Sequence, residues 1–253
     1  MPTVGLFVTC LGDQVRPDTV ANAERLLVRA GCTVEVPLIQ TCCGQPAITA
    51  GEPEAAARLA RHWVETFEPF DAVVTPSGSC ASTVRHWYAR LLEPLGAGWL
   101  PRVDALASRT FELTQYLVDE LGFTDLQLAP AGLRVTVHDA CHGLRNLGIR
   151  DQPRALATAA GVELVEMSEP ETCCGFGGSF SASYPEIATH LADDKLAMAA
   201  ATDADCVVAC DTACLLHLEA RRAVTGVGPE PVHIADLLAS GIDPSREANE
   251  GAL

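Results

Sequence analysis

Thr41-Cys42-Cys43-Gly44 recurs 131 residues later as Thr172-Cys173-Cys174-Gly175, and the same offset lays Val34-Glu35-Val36 on Val165-Glu166-Met167. A lone cysteine precedes each pair with 31 residues between them, Cys10 in one copy and Cys141 in the other. At an offset of 134, Asp71-Ala72-Val73-Val74 falls on Asp205-Cys206-Val207-Val208 and Cys80 on Cys214. Three residues have therefore entered the second copy between these marks, a drift that belongs in a loop or at a helix end. The period is too long for a solenoid and fits two fused copies of one domain. It places a first cysteine-rich repeat over residues 1–125 and a second over 132–245.

Each copy alternates strand and helix signals. In the first, Val4 to Thr9 is a short apolar run ending at Cys10, and Asp18 can cap a helix whose apolar face is Val20, Ala23, Leu27 and Ala30. Thr33 to Ile39 and Asp71 to Thr75 read as strands, with Pro53 opening a helix that carries Ala56, Leu59, Trp63 and Phe67 on one face. The second copy repeats this order with strands at Leu133 to Val137, Val162 to Met167 and Cys206 to Cys210, and a helix from Pro185 presenting Ile187, Leu191 and Met198. Alternation of this kind predicts α/β architecture: two tandem Rossmann-like domains with parallel sheets and cysteine loops at the strand-to-helix junctions. Gly122 to Gly132, containing Pro130, reads as the linker, and Gly241 to Leu253 as a polar, frayed tail.

The 253 residues are 48% hydrophobic, enough for a real core. Asp and Glu outnumber Lys and Arg by 33 to 17, and the net charge of -16 repels nucleic acid and anionic membrane surfaces. The N-terminal stretch Met1-Pro2-Thr3-Val4-Gly5 lacks a basic segment and Asp13 soon interrupts its apolar run, so neither a signal peptide nor a membrane span is expected. The compartment read from this is cytoplasmic. Reducing conditions there turn the eleven cysteines towards metal binding or redox chemistry rather than disulfides, and a vicinal disulfide formed twice at adjacent residues would be strained both times.

Eight thiols in two matched quartets, Cys10, Cys42, Cys43, Cys80 and Cys141, Cys173, Cys174, Cys214, are the candidate metal and cofactor ligands. Iron-sulfur clusters take such thiolates from loops that only folding brings together. Gly44 and Gly175, directly after the pairs, permit positive φ and let backbone N–H groups approach sulfur. Four thiolates also satisfy zinc in a closed tetrahedral site, so zinc is an open alternative at one of the repeats. The run Gly175-Phe176-Gly177-Gly178 invites comparison with a phosphate cradle but lacks the dinucleotide spacing. No hydrolase elbow, phosphate-binding loop, metalloprotease run, or flavin or nicotinamide fingerprint is present, and no catalytic residue is assigned.

These residues resemble the CCG (cysteine-rich) domains shared by the cysteine-rich subunit of heterodisulfide reductase, glycolate oxidase iron-sulfur subunits and lactate utilization protein A. Phe7-Val8-Thr9-Cys10, Cys42-Cys43-Gly44-Gln45-Pro46-Ala47, Ser77-Gly78-Ser79-Cys80, Cys173 to Phe180 and Cys214-Leu215-Leu216 are most similar to the last type. The resemblance implies a four-iron (4Fe-4S) cluster in each repeat and an electron-transfer subunit of a cytosolic L-lactate oxidising system. It further implies work alongside a ferredoxin-like iron-sulfur subunit and a third lactate-utilization protein. Relatives of the heterodisulfide reductase type end each repeat in Cys-x-x-Cys, where this chain has Ser77 and Asp211 at the earlier position. A fifth thiol is thus missing from that pattern, and Cys210, one residue away, is a spare thiol favouring the second site.

Several other residues carry plainer readings. Cys32 and Cys206 lie outside the repeated pattern and read as small buried apolar groups. His138 and His142 flank Cys141, but the first copy has Phe7 and Leu11 there, so a structural or hydrogen-bonding role is expected before ligation. Arg16, Arg85 and Arg145 lie near ligand cysteines and read as surface arginines, and the remaining histidines form no constellation.

Overall fold

A computed structural model describes residues 1–123 and 132–240. The first half runs β1 (Thr3–Leu6), α1 (Cys10–Val15), α2 (Pro17–Arg29), β2 (Thr33–Glu35), α3 (Gln45–Thr49), α4 (Pro53–Phe67), β3 (Ala72–Thr75), α5 (Gly78–Leu92), α6 (Trp99–Ala107), β4 (Thr110–Glu112) and α7 (Leu113–Gln115). The second runs β5 (Arg134–Val137), α8 (Cys141–Leu147), α9 (Asp151–Ala159), β6 (Glu163–Leu164), α10 (Ser179–Ser183), α11 (Pro185–Ala200), β7 (Cys206–Ala209), α12 (Thr212–Thr225), β8 (Glu230–His233) and α13 (Ile234–Ala239). Each half forms one parallel four-stranded sheet, ordered β2-β1-β3-β4 and β6-β5-β7-β8. The centre of the predicted linker, 124–131, and the predicted tail, 241–253, lie outside the described residues.

This strand order places a topological switch point between β1 and β3, and between β5 and β7, where the carboxyl ends of the strands open a crevice. Cys10 and Cys80 follow the first pair of strands, and Cys141 and Cys214 the second. The central strands β3 and β7 are buried along their whole length and apolar but for Thr75, as suits parallel strands covered on both faces. The three extra residues of the second half are dispersed: one between Gly175 and Pro185, one within α11 (16 residues against 15 in α4), and one in the turn before β7.

Five expectations change. Each sheet has a fourth strand, β4 and β8, too short and mixed in composition to show a period. The strand expected over Thr33 to Ile39 stops at Glu35, because Pro37 has no N–H to donate; beyond it Leu38 and Ile39 are 97% and 67% exposed. Its counterpart, expected over Val162 to Met167, pairs only at Glu163 and Leu164. Asp18 does not cap α2, since Pro17 takes the first helical position and Asp18 lies in the first turn, favourable to the helix dipole. In α11 the buried stripe is Ala188, Ala192, Lys195, Leu196 and Ala199, so Ile187 faces outward.

The halves share one apolar cluster, in which Val4, Leu6 and Val74 of the first join Val135, Val208 and Ile234 of the second. Polar clasps reinforce it: Thr19 and Asn22 on α2 donate to Asp236 on α13 at 2.7 and 3.0 Å, and His233 Nε2 meets the Pro76 carbonyl at 3.0 Å. Among the described residues no helix is long and apolar enough to cross a membrane.

Candidate metal centres

All eight cysteines of the two quartets line a single cavity of about 360 Å3 at the carboxyl ends of both sheets. Cys10 and Cys141 are the first residues of α1 and α8, while Cys80 and Cys214 are the third residues of α5 and α12. The paired cysteines arrive on the loops after β2 and β6, each closed by a left-handed glycine, Gly44 at φ 88° and Gly175 at φ 91°. That turn aims a backbone N–H at the first sulfur of each pair: Gly44 N to Cys42 Sγ at 3.4 Å, Gly175 N to Cys173 Sγ at 3.3 Å. The N-terminal turns of α5 and α12 add their dipoles, which favour negative charge between them.

Within each quartet the sulfurs hydrogen-bond in a chain. Cys10 Sγ donates to Cys42 Sγ at 3.6 Å, and Cys43 lies in reach of Cys42 and Cys80. Donation from Cys10 and Cys43, helped by the Gly44 N–H, holds the Cys42 thiol far below its ordinary range, at about 3. Cys173 is lowered in the same way to about 2 by Cys141, Cys174 and the Gly175 N–H. Their donors move oppositely: hydrogen bonding to the neighbouring thiolate, together with burial, pushes Cys10, Cys43, Cys141 and Cys174 up. Each quartet thus favours a thiolate at the first sulfur of its pair, while Cys10, Cys43, Cys141 and Cys174 resist ionisation until a cation supplies balancing charge. That donor chemistry fits a thiolate-ligated metal centre at both sites. None of the eleven cysteines forms a disulfide.

The two sites differ in what lies beneath them. Under the first, Phe7 packs edge-on against Trp63 and Phe67 at 5.7 and 5.5 Å, and Tyr88 donates to the Cys43 carbonyl at 2.9 Å. The second has a smaller aliphatic cluster of Ala140, Ala192, Leu196 and Leu218. Where the first half has Phe7 and Trp63, the second has His138 and Lys195. Lys195 is fully buried, its Nζ donating to the Glu169 and Pro170 carbonyls at 2.7 and 3.2 Å, and burial holds its pKa below the usual lysine range. Burial also lowers His138 to about 4, so its ring is neutral.

Cys210 does not reach this cavity. Its thiol is buried beside Thr114 Oγ1 at 4.0 Å, and its carbonyl accepts from Gly78 N at 3.2 Å, so it is not the spare ligand that its position in sequence suggested. Cys32 and Cys206 sit in the shared apolar cluster, as read from the sequence. His142 lines the cavity and meets Gln45 Nε2 across the two halves at 3.3 Å. Arg16 pairs with Glu219 at 2.8 Å and Arg85 approaches Gln115 at 3.5 Å; neither they nor Arg145 lines the cavity. Sequence reasoning missed Lys195, although a lysine in register with Ala188, Ala192 and Ala199 was visible.

The cysteine-rich (CCG) domain matches residues 4–85 and 135–219. The chain is 39% identical over 245 residues to lactate utilization protein A of an Exiguobacterium species, covering 96% of this chain and 99% of that one. It is 38% identical over 238 residues to lactate utilization protein A 1 of Bacillus cereus, covering 94% and 98%, and matches lactate utilization protein A of Bacillus thuringiensis to the same extent.

Proposed function

The chain belongs to the cysteine-rich (CCG) domain family, and from that premise we propose that it is an iron-sulfur electron-transfer subunit acting in the oxidation of L-lactate to pyruvate. The observation that carries the reading is the convergence of two thiol quartets, each organised around one stabilised thiolate, on one cavity between matched α/β halves. A cluster at each quartet would accept and release electrons singly. Cys10, Cys42, Cys43 and Cys80 would hold one, and Cys141, Cys173, Cys174 and Cys214 the other. Gly44 and Gly175 N–H groups and the N-termini of α5 and α12 stabilise the negative charge on these sulfurs.

Lactate oxidation releases two electrons and two protons, and no flavin or nicotinamide fingerprint exists here to take a hydride. We therefore assign that step to partners in the cytoplasm, a ferredoxin-like iron-sulfur subunit and a third lactate-utilization protein. The name shared by the relatives supports the substrate. Disruption of this protein's gene should impair growth on L-lactate and spare growth on pyruvate; equal growth on both overturns the assignment. Anaerobic purification with iron, sulfide and zinc quantification and EPR tests the cofactor, zinc without iron being the contrary result. The shared cavity favours a second reading, thiol-disulfide reduction between the two sites, which turnover of a small disulfide by purified protein would select.

A further inference from the structure

We propose that His138 is a direct nitrogen ligand of the metal centre at the second quartet, a donor that the first site lacks. The inference rests on the reading of the quartets as metal centres and deepens it. His138 is 2% exposed and neither ring nitrogen has a hydrogen-bond partner among the described residues. Leaving such a group unsatisfied is costly, and a buried polar group without a partner calls for an occupant of the site. A ring nitrogen and the sulfurs of Cys174 and Cys214 all lie within 4.8 Å of one another. That spread suits a shared metal, for which nitrogen and thiolate bonds run at about 2.0–2.3 Å.

The surroundings favour a metal over simpler explanations. The Pro170 carbonyl, close to the ring, already accepts from Asp139 N at 3.0 Å and Lys195 Nζ at 3.2 Å. The His138 backbone is pinned to β7 through Val208 O at 2.8 Å, and the adjacent Asp139 is clamped by Arg154 at 2.8 and 3.1 Å, so the segment is not free to swing the ring into solvent. In the first half Phe7 makes the equivalent backbone bond, to Val74 O at 2.8 Å, and fills its place with an aromatic contact that has no polar requirement. An imidazole at the corresponding position, buried beneath the cavity beside Cys174 and Cys214 with only the already engaged Pro170 carbonyl near its ring, is placed for a metal.

The test is pulsed EPR of anaerobically prepared, reduced protein, natural-abundance and 15N-histidine-labelled, comparing wild type with His138→Phe, which installs the first site's residue, and with His142→Gln. Ligation predicts a strong nitrogen coupling in wild type that responds to the label, persists in His142→Gln and is lost in His138→Phe, with the first centre's signal unchanged. If the second site holds zinc, the same comparison is made at the zinc X-ray absorption edge, where a nitrogen shell should disappear. His138→Asn serves where the Phe variant does not fold, and a labelled wild-type spectrum without histidine coupling is by itself enough to overturn ligation. Full metal content with no strong nitrogen coupling and an all-sulfur shell, or coupling that survives in His138→Phe, overturns ligation and leaves the electron-carrier reading standing. A wild-type protein that holds no metal after reconstitution overturns both.

Discussion

Ser77 and Asp211, which occupy corresponding positions in the two halves, meet at the boundary between them: Ser77 Oγ donates to Asp211 Oδ2 at 3.3 Å and their backbones form an isolated antiparallel bridge. Each is also the N-cap of its helix, Ser77 accepting from Cys80 N and Asp211 from Ala213 N. These are the positions at which heterodisulfide reductase-type relatives carry the extra cysteine. Here the side chains are committed to joining the halves and capping the helices that present Cys80 and Cys214.

Asp211→Ala should therefore act on both halves at once. Asp211 accepts from Ser79 N at 2.8 Å as well as from Ala213 N at 3.1 Å, so its loss strips a cap from α12 and orphans a donor at the start of α5. Together these predict destabilisation of about 2–3 kcal/mol. Chemical denaturation checks the size, and an unchanged midpoint would refute the clasp.

Glu112 provides a pH prediction. It is fully buried at the end of β4, where Oε2 accepts from Thr114 and Gln115 N–H groups while Oε1 has no partner among the described residues, and burial raises its pKa from 4.5 to about 7. The native carboxyl thus holds its proton more tightly than the unfolded chain does. Unfolding releases a proton between pH 4.5 and 7, so the Glu112 contribution makes stability fall as pH rises through that window. Glu112→Gln, which keeps an acceptor without the charge, should be more stable than wild type at pH 8 by at most about 3 kcal/mol, with the gap closing near pH 4.5. Parallel melts at the two pH values decide it.

Lys195 predicts unequal potentials. A buried ammonium close to Cys173 and Cys174 favours added negative charge at the second centre, whereas Trp63 provides no charge at the matching place beneath the first. Lys195→Met should lower the reduction potential of the second centre and leave that of the first in place. It should also weaken the loop leading to Cys173, because the Glu169 and Pro170 carbonyls lose their ammonium donor. An EPR-monitored redox titration in which neither signal moves would count against the charge argument.

The cysteine repeat and the order of strands and helices were legible because they depend on spacing and local period, and both survive duplication. What escaped depends on contacts between segments far apart in sequence. The fourth strands are edge elements of three and four residues, held by neighbours such as Val73 opposite Thr110 and Val208 opposite Val232, with little pattern of their own. Cys210 looked like a near-neighbour ligand, but it directly follows β7 and its thiol faces Thr114 of the other half. The difference between the two sites was visible as Phe7 against His138. Its meaning needed the third dimension, which places the buried imidazole beside the sulfurs of Cys174 and Cys214.

The two glycines that close the cysteine loops provide the sharpest comparison, because their backbones match and their surroundings do not. Both adopt left-handed φ, so an alanine at either costs roughly 1–2 kcal/mol in backbone strain. A Cβ on Gly44 would meet its nearest neighbour, the Ala56 carbonyl oxygen, at 3.6 Å, ordinary contact; on Gly175 it would stand 2.3 Å from the Ala188 carbonyl oxygen and 3.0 Å from Leu191 Cβ. The α11 backbone cannot yield as a flexible side chain can, so the loop must move and take the Gly175 N–H away from Cys173 Sγ. Gly44→Ala should consequently retain metal at the first site with a modest loss of stability. Gly175→Ala should lose most of the metal at the second while the first stays loaded. Metal counts per chain with EPR of both variants measure this, and equal retention would show that the close packing of the second loop on α11 does not govern how its thiolate is held.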